Sequence, residues 1–474
     1  MTSLERTAQN APARRPFWAD VARTWALAWP VFLVDLVVIS ISTIDVIMVG
    51  RASTDELAYL GIGRTVTWMA IVICSGLLSG VTVFAARADG AENPKEAGDI
   101  LRRGIAYTAV LGVLCCLALF LCAEALLGAL DLPTALVEQG ADYVRITAVG
   151  LPFQLFTMCC FLWLEGISRP RPGMIVMFMT LPLNAGMNWV FIEGNLGAPA
   201  LGASGAALAT TLAQMIGAVL IVLYLRGMRD RDHWGVSLEL GINWRSAWQD
   251  GKSLRRFGLM PGFATGMEFL GFNALNIMTG YLGIVVVGAY QVVFSLHAIS
   301  FSVAMGFASA TAVRVGNAMG RNDPAAVGHQ VRLSAGMTAA AMLPFVLVYL
   351  FIPDVPIAVF GVDADVAALA MLFVAIIAPF LIFDGLQYML VFALRAAGDE
   401  VVASVLQVGS FLVVMAGASA VLTFVLDYGP AGIGWGMVAG IVCAATLLGS
   451  RFLVVQRKLM TQSAPHSPSP QAQQ

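Results

Sequence analysis

Long apolar runs separated by short polar links dominate the chain. A lipid core about 30 Å thick is crossed by about 20 helical residues. Runs of that order recur twelve times, at roughly 23–49, 58–86, 102–128, 139–167, 173–193, 203–226, 256–281, 284–312, 330–352, 365–394, 401–426 and 431–455. Barrel strands would instead read as short alternating stretches. The pattern predicts an all-α integral membrane protein with twelve transmembrane helices. Residues 1–22 read as a polar N-terminal tail, because the first apolar run is too long for the core of a cleaved signal. Residues 457–474 read as a disordered polar tail rich in Pro, Ser and Gln.

Positive charge tests the count independently, since Lys and Arg concentrate on cytoplasmic loops. With the N-terminus inside, 24 of the 27 Lys and Arg fall on inner segments. Arg51 falls on an outer loop, and Arg64 and Arg145 fall inside spans. A wrong count would scramble this alternation, so both termini are expected on the cytoplasmic side. Arg64 and Arg145 read either as counter-ions to acids inside the spans or as residues that reach their heads toward the outer interface, the latter above all for Arg145.

The punctuation of the runs repeats. Pro30 corresponds to Pro261, Met48 and Gly50 to Met278 and Gly280, and Arg87 with its loop to Pro94 corresponds to Arg314 with its loop to Pro324. Pro152 corresponds to Pro379 and Gly205 to Gly434, all in the same order at offsets of 227 to 231. Two parallel six-helix repeats follow, 23–226 and 256–456, joined by a cytoplasmic linker at 227–255. Repeats in the same orientation are related by an axis along the membrane normal and meet at a central cavity.

Composition narrows the function. The chain is 59% hydrophobic with mean hydropathy +0.81, and 12% of residues are charged, against about 25% in soluble domains. No basic cluster suits nucleic acid. The seven cysteines lie in apolar stretches without C-x-x-C spacing and read as small packing residues. His297 is the one histidine in an apolar run, and a single histidine makes no metal site. There is no H-E-x-x-H and no G-x-S-x-G with a plausible triad. Gly251-Lys252-Ser253 resembles the end of a P-loop, but Ser246 stands where the first glycine belongs. With no nucleotide site and no cofactor expected, uphill transport must draw on an ion gradient.

A charge at mid-bilayer costs about 2.5–3.5 kcal/mol or more, so acids inside spans mark function. Asp35, Asp45, Glu268 and Asp384 lie there. Glu268 is flanked by Met267 and Phe269 in the seventh span. Asp384 follows Pro379, which should kink the tenth span and free carbonyls; its structural partner would be Asn273 or Asn276. Asp35 and Asp45 are ten residues apart, about 15 Å along a helix. Asn184 and Asn188 share one face of the fifth span and can hold a carboxyl or line a polar pocket. Gln291 and Gln387 are weaker candidates.

The motifs WPVFL and TIDVIMVG in the first span, PLNAGMNWVF in the fifth and LGASGAALAT entering the sixth resemble the multidrug and toxic compound extrusion (MATE) family, in its NorM-like branch. GLMPGFATGMEF, ATAVRVGNAMG and FDGLQYMLVFALRAAGD extend the resemblance through the second half, from about 23 to 455. The resemblance implies an antiporter of a bacterial inner membrane. It would act as a monomer that exports small organic, often cationic, compounds against inward protons or sodium ions. It assigns coupling or substrate roles to Asp45, Glu268 and Asp384, with Asn184 and Asn188 beside the first, and a proton or sodium site at Glu268 and Asp384. Two positions depart from the family: Tyr290-Gln291 stands where many members have His-Gln, and Phe380 where some sodium-coupled members have Tyr. Alternatives are a flippase for a lipid or lipid-linked precursor, which would favour a basic cavity, and an intramembrane enzyme.

The charge pattern is checked by single cysteines in a cysteine-free background. Ala198→Cys should react with a membrane-impermeant maleimide in intact cells, and Lys95→Cys only after permeabilisation.

Overall fold

The computed structural model describes residues 16–129, 133–236 and 243–462, and within these the regular structure is helical. Span 1 is α1 (Phe17–Ala52), and span 2 is α2 (Thr54–Leu78) continued by α3 (Gly80–Gly90). Spans 3 to 6 are α4 (Pro94–Gly128), α5 (Thr134–Gly166), α6 (Arg171–Phe191) and α7 (Gly202–Gly227). A short linker helix, α8 (Trp244–Asp250), precedes span 7, α9 (Lys252–Leu282). Spans 8 and 9 are α10 (Ile284–Gly320) and α11 (Pro324–Phe351), followed by a short α12 (Asp354–Ala358). Span 10 is α13 (Ala364–Ile377) and α14 (Leu381–Ala397), separated by a tight turn at Ala378–Phe380. Span 11 begins as α15 (Glu400–Val408), widens to i→i+5 turns at Gly409–Met415, tightens through α16 (Ala416–Ala420) and widens again at Val421–Val425. Span 12 is α17 (Pro430–Gln462).

Eleven of these spans are long and apolar enough to cross a bilayer. The seventh, α9, is 31 residues long but too polar for that criterion, because it carries Glu268, Asn273, Asn276, Pro261 and several glycines. It is also clasped by protein. A Cβ on Gly76 of α2 would meet Gly262 Cα of α9 at 2.6 Å, so two backbones touch where the halves join. Helix ends depart from the expected boundaries. α1 starts at Phe17, inside the expected tail, and α9 starts at Lys252, inside the expected linker. α17 runs to Gln462, so residues 457–462 of the expected disordered tail are helical, and the rest of that tail lies outside the described residues. Extending a formed helix adds a hydrogen bond per residue fixed, so these helices run past the lipid-sized apolar run.

The duplication read from punctuation is visible in the packing. In the first half span 1 packs on span 5, 2 on 4, 3 on 4, 4 on 6 and 5 on 6; in the second half 7 packs on 11, 8 on 10, 9 on 10, 10 on 12 and 11 on 12. Across the seam span 1 packs on span 8 and span 2 on span 7, as a two-fold axis requires. Local detail repeats too. Asn93 caps α4 through Glu96 N (3.2 Å) with Pro94 in the first turn, and Asp323 caps α11 through Ala326 N (3.0 Å) with Pro324 in the first turn. The residues before these caps, Glu92 (φ 55°) and Asn322 (φ 54°), share a left-handed turn.

At the end of the bundle that carries these two turns the halves are in close contact. Gly90 abuts the Asn317 backbone and Gly320 the Arg87 carbonyl. Arg87 Nη2 donates to Ala396 O (2.8 Å), and Arg314 Nη2 to Asp20 Oδ1 (2.5 Å). A cavity is left farther along the axis, where the halves diverge.

Replacing Gly76 by Val should be costly, since backbone blocks the new atoms; overpacking of this kind costs about 1–3 kcal/mol or more. Gly336→Ala, where a Cβ meets nothing within 4 Å, should be neutral or slightly stabilising. Unfolding midpoints of the purified variants in detergent check both.

Candidate functional site

The cavity has a volume of ≈ 400 Å³ and lies between the halves. Most of its wall comes from the first half. The second half contributes Thr265, Met305, Ser309, Ala312, Tyr388, Phe392 and Arg395. The wall is largely apolar with few convergent polar groups, as in sites for small organic molecules.

Asp45 projects from α1 into this cavity and is buried. The asparagine pair of α6 holds it. Asn188 Nδ2 donates to Asp45 Oδ1 (2.6 Å) and to Asn184 Oδ1 (3.2 Å). Asn184 Nδ2 donates to Thr210 Oγ1 of α7 (3.2 Å), and that hydroxyl donates to Asp45 Oδ2 (3.5 Å). Asn188 grips the acid and Asn184 faces the cavity. The i, i+4 spacing makes this work, since it stacks the two amides on one helix face.

For Arg64 the interfacial reading does not hold. Its head does not extend to the interface. It donates to Ser42 Oγ (2.5 Å) and Ser42 O (3.3 Å) and lines the cavity near Asp45. Ser42 lies close to one turn before Asp45 on α1 and supplies acceptors inside the bundle. Arg145 is half-buried and paired with Glu124 (2.7 Å) and Asp142 (3.1 Å).

Asp35 also lines the cavity, and so does Glu165 near the end of α5. Glu165 was missed in the sequence because it stands in the last turn before a polar link, where acids normally meet water. Here Ser309 of the opposite half donates to its Oε2 (2.6 Å), which draws it inward.

Glu268 and Asp384 do not line the cavity. Both are buried in the second half, within electrostatic range of each other. Gln407 Nε2 of α15 donates to Glu268 Oε2 (2.6 Å), and Arg395 Nη2 of α14 donates to Gln407 Oε1 (2.8 Å). Arg395 reaches the cavity wall, so a hydrogen-bonded chain runs from the cavity to Glu268. Gln407 lies two residues before the first wide turn of span 11; such turns favour functional positions.

Asp384 pairs with His297 of α10, Nε2 to Oδ2 at 2.9 Å, and accepts from Gln387 Nε2 (3.3 Å). Neither expected partner holds it. Asn273 Nδ2 donates to its own helix at Phe269 O (2.8 Å), and Asn276 accepts from Gln291 (3.0 Å). The available signal was the isolation of His297 among apolar residues, which alone implies a buried partner. Only the fold brings together residues 87 positions apart. The Pro379 kink is present, and it starts α14 at Leu381, with Asp384 in its first turn. A carboxylate there is favoured by the positive end of the helix dipole. Among the described residues no three His, Cys, Asp or Glu side chains converge as a metal site.

The family model MatE matches residues 30–190 and 262–428, one stretch in each half. A "Probable multidrug resistance protein NorM" of Caulobacter vibrioides is 32% identical over 459 residues, covering 94% of this chain and 93% of its own. A protein of the same name from Rhodopseudomonas palustris is 32% identical over 470 residues, covering 95% of each. The crystal structure of the eukaryotic MATE transporter AtDTX14 superposes with a TM-score of 0.84 over 94% of this chain and 99% of that chain, at 16% identity. The chain therefore belongs to the MATE family, in its NorM-like branch: a multi-pass membrane transporter of small molecules, not an enzyme.

Proposed function

We propose that the chain exports organic cations in exchange for inward protons by alternating access. It would act as a monomer of a bacterial inner membrane with both termini cytoplasmic. The observation that carries this reading is the cavity itself. Three acids, Asp35, Asp45 and Glu165, and two arginines, Arg64 and Arg395, are set in a largely apolar wall between the two halves. A mostly acidic set suits a cationic solute, and the apolar wall suits an organic body. Several methionines and aromatic rings line it, and such side chains adapt to varied shapes.

Coupling would run through the second half. Glu268 is tied to the cavity by Gln407 and Arg395. A proton on Glu268 removes the charge that Arg395 faces through Gln407, and it changes the field at the cavity wall. The hydrogen-bond neighbours of the two carboxylates among the described residues are nitrogen donors, one from Gln407 on Glu268 and one each from Gln387 and His297 on Asp384. Sodium, a hard cation, wants oxygen ligands, so this surrounding favours the proton over sodium.

The test is reconstitution into liposomes with pH and sodium gradients imposed separately, following efflux of ethidium. The pH gradient should drive transport and the sodium gradient should not. Glu268→Gln should lower the driven rate by about tenfold or more, while the protein still elutes as a single species. Gln407→Leu, which strands both Glu268 and Arg395, should lower it in the same direction. Transport driven by sodium alone would overturn the choice of ion, and wild-type rates for Glu268→Gln would overturn its role.

A further inference from the structure

The cavity has two acidic poles, and they differ. At one pole Asp45 is gripped by Asn188 and Thr210 and has Arg64 nearby as an opposite charge. At the other pole Asp35 and Glu165 come from α1 and α5. The charge that acts on Asp35 there is that of Glu165, a second acid. Arg395, the other arginine of the wall, is turned to Gln407 and lies over the Phe392 ring (5.8 Å). Asp35 Oδ2 is shut from solvent and has no hydrogen-bond partner. Glu165 is satisfied on Oε2 by Ser309.

Two carboxyls in one low-dielectric space repel each other when ionised, and an unpartnered buried acceptor is costly. An organic cation carrying an N–H donor answers both problems. Its charge offsets the pair, and its N–H supplies the donor that the Asp35 carboxyl lacks. The neighbouring wall fits an aromatic body: Met158, Phe161, Met305, Tyr388 and Phe392 all line the same cavity, and aromatic faces attract cations. We propose that Asp35 and Glu165 form the docking subsite for the cationic N–H group of the exported compound, a protonated aromatic amine or amidine, apart from the Asp45 pole. The subsite rests on the organic-cation reading above and adds where, and through which group, the cation is held.

Binding to the detergent-purified full chain tests this without any gradient. The probes are 9-aminoacridine, a fluorescent cation with N–H donors, and acridine, the same ring system without charge at mildly alkaline pH. Asp35→Asn and Glu165→Gln should each weaken 9-aminoacridine binding by about tenfold or more, while acridine binding stays unchanged. Asp35→Glu, which keeps the charge, should stay within about threefold of wild type. Elution profile and unfolding midpoint confirm that each variant is folded. Wild-type affinity for 9-aminoacridine in the Asp35→Asn, Glu165→Gln double variant would overturn the subsite, as would equal losses for both probes. No 9-aminoacridine binding by the wild-type protein would overturn both the subsite and the organic-cation reading. Intact, charge-selective binding without gradient-driven efflux would overturn the antiport reading alone.

Discussion

In the bilayer core no water is available to satisfy a polar group, so each one placed there must be met by another part of the same bundle. Most of the structure's distinctive features follow from that. The helices satisfy their own backbones. The side chains that helices cannot satisfy, acids, arginines and amides, are drawn inward and toward one another. Asp45 finds Asn188 and Thr210, Arg64 finds Ser42, Asp384 finds His297, and Glu268 finds Gln407. Each partnership joins two helices, so the polar groups that equip the transporter also fix how its spans are assembled.

The duplicated architecture places these partnerships unequally. The two halves share a packing pattern and the capped turns before spans 3 and 9. Their polar interiors have diverged. The first half opens its acids onto the cavity, while the second buries Glu268 and Asp384 behind Tyr388 and Arg395. The division separates acids that face the cavity from acids held away from it. Arg395 is then the point of contact between them, since it belongs both to the cavity wall and to the chain that ends at Glu268. Close backbone contact at Gly76 and Gly262 lets spans 2 and 7 approach without intervening side chains. This leaves the seam smooth where the halves would move against each other.

Much of this was legible in the chain. Span number and the internal repeat followed from apolar length and from proline, glycine and arginine placement, because lipid thickness and helix geometry act on each segment separately. The same locality gave the Pro379 break and the shared face of Asn184 and Asn188. The four intramembrane acids could be named one by one, since their cost depends on depth more than on neighbours.

Who meets whom was decided only by the tertiary fold. Sequence reasoning grouped Glu268 and Asp384 with Asp45 by role, set Asp384 beside an asparagine, left Arg64 between a counter-ion and an interfacial residue and passed over Glu165. Each difference has one cause. Depth in the membrane is set by position along a helix, whereas the direction a side chain faces, and the helix it faces, are set by packing among spans distant in sequence. Ser309 reaches Glu165 across 144 residues and His297 reaches Asp384 across 87. The sequence determined that polar groups had to be satisfied inside the bundle, and the packing of the spans chose their partners.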